Sequence, residues 1–239
     1  MDAMRFLRNI LAYLLALLLA VLLFIPVLVV TGLFGNDTFL YVLSRRVFKA
    51  MLKITGVNVR VHGLDGIDFS KPLVMVCNHL SNLDGPVLYS ALPCQPRALI
   101  KSEARRIPLI GLALQLAGFV FVDRDNPPRR QEALGAAVEK IRKKHYSFLV
   151  FPEGTRSRDG LVQNFKKGGF KIALAAGVPV LAIRISGSHQ LLPPGRIIIK
   201  PGTVDIELFG PLAMAGLQES GLAEWIQDLQ QKIYQDKKP

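Results

Sequence analysis

Short apolar runs rich in β-branched residues alternate along the chain with longer segments in which apolar residues recur every three or four positions. The short runs are typical of buried strands, and the longer segments are typical of helices that bury one face. This alternation predicts an α/β fold with a mixed, largely parallel sheet covered by helices on both faces. The predicted strands are residues 57–62, 72–77, 97–100, 118–123, 147–151, 179–185, 196–200 and 204–209. The predicted helices are residues 82–92, 108–116, 129–144 and 168–177, followed by a helical stripe at Leu222, Trp225, Ile226, Leu229 and Ile233.

The beginning of the chain has a different pattern. Residues 9–36 contain no charged side chain, and this run is longer than the ~20 residues that cross a bilayer core. It is also too long for the apolar part of a secretory signal, and no small-x-small cleavage site follows it. We therefore expect an N-terminal hydrophobic membrane helix, or a helical hairpin if Pro26 divides the run.

Residues 38–55 mix apolar side chains with Arg45, Arg46, Lys49 and Lys53. Such a segment has two interpretations, an amphipathic helix at the membrane interface or an ordinary helix packed on the following domain. The basic cluster also indicates orientation, because cytoplasmic segments beside membrane helices are enriched in Lys and Arg. We expect the protein to be bound to the cell membrane through its N-terminus, with the rest of the chain on the cytoplasmic side.

The charge of the chain narrows the class of partner. Lys and Arg number 30 and Asp and Glu 18, so the formal net charge is +12. Such a charge suits either nucleic acid or an anionic lipid surface, and the apolar N-terminus favours the lipid bilayer over nucleic acid. Two cysteines do not indicate a disulfide framework, and the histidines lack the spacing of metal ligands. We expect no metal and no cofactor.

A polar block at residues 78–84 follows the predicted strand 72–77. In it, His79 can take up a proton near neutral pH, and Asp84 can orient the ring and stabilise the imidazolium. Side chains five residues apart on one helix point about 140° apart. The pair can therefore meet only if His79 lies on the turn and Asp84 on the following helix. The alternative is a solvated or core histidine beside an aspartate that caps the helix.

A second polar block, residues 151–157, also follows a predicted strand, and it places a carboxylate, a glycine, a hydroxyl and a guanidinium in succession. The planar guanidinium suits two phosphate oxygens, and glycine lets the backbone approach a ligand. The block therefore predicts an anion site, although a surface loop with a Glu–Arg ion pair is the alternative. Residues 165–171, with paired lysines beside glycines, are either a further anion contact at a helix N-terminus or a solvated loop.

These blocks resemble those of a known family, the glycerolipid acyltransferases, and most closely the bacterial 1-acylglycerol-3-phosphate acyltransferases. The resemblance covers roughly residues 55–210 and rests on two signature blocks in the expected order, residues 78–84 and 151–156. It extends to residues 101–111, 118–124 and 177–180. Several blocks in register make a chance match much less frequent than a single motif.

The resemblance implies a glycerol-3-phosphate acyltransferase-like fold and a direct transfer without an acyl-enzyme. His79 would be the general base for a free hydroxyl of the acceptor, which attacks the thioester of acyl-coenzyme A or acyl carrier protein. Asp84 would orient His79, and basic residues would hold the acceptor's phosphate. On matching positions, the phosphate-binding residues would be Arg156, Lys101 and Arg124, together with Glu153, Gly154 and Thr155.

We therefore expect a 1-acylglycerol-3-phosphate O-acyltransferase that converts lysophosphatidic acid to phosphatidic acid in phospholipid biosynthesis. Residues 1–54 would be the membrane anchor and interfacial helix, and residues 55–239 the catalytic domain. The expected partners are the lipid bilayer, a lysophospholipid acceptor and the acyl donor. Two alternatives stay open. One is the same chemistry on another lysophospholipid, an ornithine-type lipid or glycerol 3-phosphate. The other is a basic membrane-binding protein without catalysis, in which His79 and Asp84 are structural.

Overall fold

The computed structural model of the protein describes residues 3–19 and 25–234. Helices come first: α1 (Ala3–Leu19), α2 (Ile25–Phe34) and α3 (Thr38–Thr55). The strands are β1 (Val57–His62), β2 (Val74–Cys77), β3 (Arg97–Lys101), β4 (Val120–Val122), β5 (Phe148–Val150), β6 (Val180–Ser186) and β7 (Gly202–Leu212). The remaining α-helices are α4 (Asp84–Ala91), α5 (Ile110–Leu116), α6 (Pro127–Lys144), α7 (Gly168–Ala176), α8 (Ser188–Leu191) and α9 (Leu222–Tyr234).

Within the described residues, the seven strands form one sheet in the order β1-β7-β6-β2-β5-β3-β4. The neighbours from β6 to β4 pair in parallel, β6 pairs with β7 antiparallel, and β1 is parallel to β7. The prediction of a mixed, largely parallel sheet is confirmed. Because β2, β3, β4, β5 and β6 run in the same direction, the residues that follow them meet at one edge of the sheet, where open α/β sheets bind their ligands.

The two faces of the sheet bury separate hydrophobic clusters. Met75 and Cys77 of β2 point into a cluster that includes Leu52 of α3 and Leu88 of α4. Val76, between them, points into the opposite cluster, to which α6, α7 and α9 contribute. This alternation is the period of a strand that is buried on both sides. Helices cover both faces of the sheet, as predicted.

A close contact between α7 and β5 fixes the end of the loop that follows β5. Gly169 lies against Val150, and a Cβ on this glycine would be 2.7 Å from Cγ1 of Val150. A larger residue would push the first turn of α7 away from the sheet. The loop of residues 151–167 is therefore held at both ends, by β5 and by α7.

One predicted strand was wrong. Residues 196–200 do not form a strand, because the side chain of Asn9 on α1 takes the backbone groups that a strand would pair. The Ile199 amide donates to Oδ1 of Asn9 at 2.8 Å, and Nδ2 of Asn9 donates to the Ile199 carbonyl at 3.0 Å. Asn9 is 3% exposed, so these bonds form away from solvent. They join the N-terminal helix to the segment that leads into β7.

The uncharged run of residues 9–36 lies partly outside the described residues, because residues 20–24 are not among them. Over residues 3–19 and 25–234, no helix combines the length and the apolar character needed to cross a bilayer. Helix α1 lies beside α3, and Nε of Arg8 donates to the Ile54 carbonyl at 3.1 Å.

Helix α3 packs on the domain that follows it. Its buried residues include Leu52, which belongs to the cluster on the α4 side of the sheet. This confirms the interpretation of residues 38–55 as a helix packed on the domain. The interfacial role stays a prediction. The exposed side of α3 carries apolar residues in its first half and basic residues in its second half, namely Phe39, Val42, Arg46, Lys49 and Lys53.

Candidate active site

His79 and Asp84 are in direct contact at the carboxyl end of β2. His79 lies on the turn after the strand, and Asp84 is the first residue of α4, as the spacing requires. Nδ1 of His79 and Oδ2 of Asp84 are 2.8 Å apart. Asp84 is fully buried. A carboxylate can only accept, so Nδ1 carries the proton and the lone pair of the ring lies on Nε2.

Backbone amides hold the Asp84 carboxylate in place. The same Oδ2 accepts from the Leu80 amide at 2.7 Å and from the Ser81 amide at 2.8 Å. These hydrogen bonds fix the position and the orientation of the carboxyl group. The turn between His79 and Asp84 therefore wraps around its own carboxylate, which gives the imidazole a fixed, charged partner.

The imidazole of His79 also stacks on Phe151, the first residue after β5. The ring centroids are 3.9 Å apart and the planes are inclined by 18°. This contact restricts rotation of the histidine ring. No sequence signal identified Phe151 for this task, because strands β2 and β5 are neighbours only in the folded sheet.

The blocks after β2 and β5 are joined through the backbone of His79. The His79 amide donates to Oε1 of Glu153 at 2.7 Å, and the Ser157 amide donates to the His79 carbonyl at 2.8 Å. Both backbone groups of the candidate base are therefore bound to the second block. The position of the imidazole and the backbone of the loop of residues 151–167 therefore cannot change independently.

Glu153 has a different role from the one that its place in the phosphate-binding block predicted. Its second oxygen, Oε2, accepts from the Gln163 amide at 3.0 Å, so both oxygens are used within the protein. The side chain is 3% exposed, and burial raises the pKa of its carboxyl group to about 7, against the opposite effect of the Gln163 and His79 amides. A buried acceptor of backbone amides is no ligand for a phosphate, and the prediction is corrected accordingly.

The basic residues gather around Gly154. Arg124 donates to the Gly154 carbonyl, and a Cβ on Gly154 would be 3.0 Å from Nζ of Lys166. The glycine therefore leaves room for the lysine, and its φ of +75° is one that other residues rarely adopt. Two cations from different segments meet at this glycine. The sequence indicated Lys166 only as part of an ambiguous loop.

Arg156, Thr155 and Lys101 are exposed at the same edge of the sheet. The Arg156 guanidinium donates to Oδ1 of Asn82, which ties it to the turn between His79 and Asp84. Lys101, at the end of β3, pairs with Glu103 at 2.6 Å. Both cations are thus held by surface partners that a substrate anion could replace.

A cysteine nucleophile and a bound metal ion are two other groups that could take part in catalysis. Cys77 is fully buried in the core, and burial raises the pKa of its thiol well above the ordinary value. A buried neutral thiol is a poor nucleophile. Over residues 3–19 and 25–234, no three His, Cys, Asp or Glu side chains converge as a metal site would require.

The family model described as Acyltransferase matches residues 58–186, more than half of the 239 residues. The chain belongs to the acyltransferase family. The matched range runs from the second residue of β1 to the end of β6, and it includes both blocks that meet at His79.

Known acyltransferases resemble the chain well beyond these blocks. The crystal structure of the 1-acyl-sn-glycerophosphate (LPA) acyltransferase PlsC from Thermotoga maritima is 28% identical, with a TM-score of 0.78 over 97% of each chain. The 1-acyl-sn-glycerol-3-phosphate acyltransferase of Saccharomyces cerevisiae is 26% identical over 195 residues, 81% of this chain and 64% of the yeast protein. That of Cocos nucifera is 28% identical over 165 residues, 69% of this chain and 54% of the relative. The chain thus spans less than two thirds of the length of these two relatives.

In this member of the acyltransferase family, the fold brings the sequence-predicted residues to one edge of the sheet. The His79 amide bonds Glu153, the residue before Gly154, and Arg156 bonds Asn82 in the turn that follows His79. Arg124 reaches the same loop at the Gly154 carbonyl. Lys101 stands beside them on β3, next to β4 and β5. Sequence reasoning missed Phe151 as a stacking partner and gave Glu153 the wrong task, because both roles depend on contacts between distant segments.

Proposed function

We propose that the protein is a 1-acylglycerol-3-phosphate O-acyltransferase, which acylates the free sn-2 hydroxyl of lysophosphatidic acid and forms phosphatidic acid in phospholipid biosynthesis. One observation carries the proposal: a histidine whose Nδ1 proton is committed to a buried carboxylate, with a basic loop bound to its backbone. A base beside an anion site is what acyl transfer to a phosphate-bearing alcohol needs. The activity named for the relatives supports the same reaction.

In the proposed reaction, Nε2 of His79 takes the proton of the acceptor hydroxyl while its oxygen attacks the thioester carbonyl. A C–O bond forms and the C–S bond breaks, and the imidazolium then returns its proton to the leaving thiolate. Asp84 stabilises the imidazolium between the two steps. A positioned general base contributes about 10²–10⁴-fold to the rate, and a reactive thioester needs no covalent acyl-enzyme.

The acceptor's phosphate, in this proposal, binds among Arg156, Arg124 and Lys166, with the Thr155 backbone facing it and Gly154 leaving room for the Lys166 side chain. Lys101 contributes by exchanging its Glu103 partner for the phosphate. A guanidinium and an ammonium offer complementary contacts, since the first binds two oxygens in a plane and the second acts as a compact charge. The +12 net charge of the chain favours the approach of such an anion.

The N-terminal helices supply, we propose, the contact with the cell membrane, with the active site on the cytoplasmic side. Exposed apolar side chains support this role on α1 and α2, among them Leu7, Leu14, Leu33 and Phe34. Such side chains gain free energy when a bilayer interface covers them. The acyl donor is acyl-coenzyme A or acyl carrier protein, and both bring the same thioester to His79.

The proposal is tested by assaying the purified protein in detergent micelles with both donors and four acceptors. These are lysophosphatidic acid, lysophosphatidylcholine, an ornithine-type lysolipid and glycerol 3-phosphate. We expect transfer to lysophosphatidic acid, and a loss of ~10²-fold or more in His79→Ala. His62→Ala, at an exposed histidine on β1, is the control. If no donor is consumed with any acceptor, the protein is a membrane-binding protein without catalysis. Preference for another acceptor would overturn the substrate assignment.

A further inference from the structure

The side chain of Gln230 on α9 is hydrogen-bonded to the backbone of the loop that follows β5. Its Oε1 accepts from the Phe165 amide at 3.2 Å, and its Nε2 donates to the Gln163 carbonyl at 3.1 Å. One amide thus binds the loop backbone at two places, with its donor and its acceptor both used. This is how a neighbouring strand would hold the segment, although here a helix side chain does so.

The segment of residues 163–165 that Gln230 holds is connected to the candidate base. The Gln163 amide donates to Oε2 of Glu153, and Oε1 of Glu153 accepts from the His79 amide. A continuous path of hydrogen bonds therefore leads from Gln230 through Gln163 and Glu153 to His79. Because Glu153 is buried, water does not compete for its two bonds, and each bond has more influence on its neighbours than it would in solvent.

The loop has little regular structure of its own to resist displacement. Between the end of β5 at Val150 and the start of α7 at Gly168 the chain forms no helix or strand. A second contact from α9 also holds residues 163–165, because the Phe165 and Tyr234 rings meet edge to face with centroids 4.9 Å apart. The Tyr234 hydroxyl donates to the Ile183 carbonyl at 2.8 Å and lies 3.1 Å from that of Val76, on the strand that leads to His79.

We propose that Gln230 is a positioning residue for the general base. Gln230 holds the backbone of residues 163–165 in place. The Gln163 amide then positions the Glu153 carboxylate, and this carboxylate positions the His79 amide. The proposal rests on the proposed function, because it assigns His79 as the base. Gln230 itself does not contact the reacting groups, so its loss reaches them only through the backbone of residues 163–165.

Kinetics of Gln230→Ala test the proposal. We expect kcat to fall about 5- to 150-fold, the range that corresponds to two neutral hydrogen bonds, and to change by a larger factor than KM for the acceptor. Gln231→Ala, at the exposed neighbour on the same helix, is the matched control and should retain wild-type kcat. In a Glu153→Gln background, Gln230→Ala should cause little further loss, because the path is already interrupted. An equal loss in both backgrounds, or an unchanged kcat in the wild-type background, would overturn the role.

Hydrogen exchange measured by mass spectrometry supplies a readout that needs no turnover. In Gln230→Ala, and not in Gln231→Ala, the peptides that contain the Phe165 amide and the His79 amide should exchange faster, with circular dichroism unchanged. Unchanged exchange at His79 would overturn the positioning role alone. A wild-type protein without acyl transfer would overturn the proposed function instead, so the two failures are distinguishable.

Discussion

Replacing Asp84 by Asn tests the assignment of the base most directly, because it removes a charge and leaves the shape of the side chain almost unchanged. In the wild type, Oδ2 accepts from the His79 ring and from two backbone amides. An Asn carbonyl oxygen in that position can still accept from the Leu80 and Ser81 amides. What it cannot supply is the negative charge that stabilises the imidazolium during proton transfer.

The expected magnitude follows from the contacts. A hydrogen bond to a charged partner is worth about 1.5–3 kcal/mol, which corresponds to a fall in kcat of roughly 10- to 150-fold. The KM for the acceptor should stay within about twofold, because Asp84 is fully buried and cannot touch substrate. The amide nitrogen would occupy the place of Oδ1, which is buried and has no hydrogen-bond partner. Asp84→Asn should therefore also lower the free energy of unfolding by about 1–3 kcal/mol.

The assay measures kcat and KM with lysophosphatidic acid at saturating acyl donor, together with urea unfolding of the same preparations. Asp228→Asn, at an exposed carboxylate of α9, is the control for the loss of one charge. Two results would refute the reasoning. In one, kcat is unchanged although the variant is folded. In the other, the whole loss lies in KM, which would mean that Asp84 acts on acceptor binding.

Three further predictions concern other parts of the molecule. Burial raises the pKa of Glu153 above its ordinary value of 4.5, to about 7, so the folded protein keeps this proton to higher pH than the unfolded chain. Its contribution to stability should decline by about 3 kcal/mol between pH 4.5 and pH 8. The difference in free energy of unfolding between the wild type and Glu153→Gln should therefore shrink over that range, and a constant difference would contradict the raised pKa. Lys166→Ala should raise KM for lysophosphatidic acid about tenfold. Lys167→Ala, at the neighbouring residue, is the control and should keep a KM near that of the wild type. Equal effects of the two substitutions on KM in steady-state kinetics would argue against a specific contact of Lys166 with the phosphate. Phe34→Ser should weaken binding to anionic vesicles about 10- to 150-fold, since burying a phenylalanine contributes about 1.5–3 kcal/mol. Leu161→Ser, outside the N-terminal helices, should bind as strongly as the wild type in the same sedimentation assay.

Much of the sheet could be predicted from the sequence. The runs at β2, β5 and β6 are short and apolar because these strands are buried on both faces, and such runs stand out from any helical period. Residues 196–200 include a similar short apolar run, and the prediction of a strand there was therefore wrong. They are placed in a partly buried segment, but their backbone partner is Asn9, which lies about 190 residues earlier in the chain, and a burial pattern cannot reveal which group takes a hydrogen bond.

The candidate site divides in a similar way. The sequence alone predicted that His79 and Asp84 can meet if a turn leads into a helix, with a structural histidine and a capping aspartate as the alternative, and it indicated the anion site through the composition of residues 151–157. Only the tertiary structure decided that Glu153 binds the backbone of His79, that Lys166 enters beside Gly154 and that Gln230 supports them from α9. Local spacing restricts side chains within a few residues of each other. Contacts across 74 residues, as between His79 and Glu153, depend on which strands become neighbours in the sheet, and that is settled by packing of the whole chain.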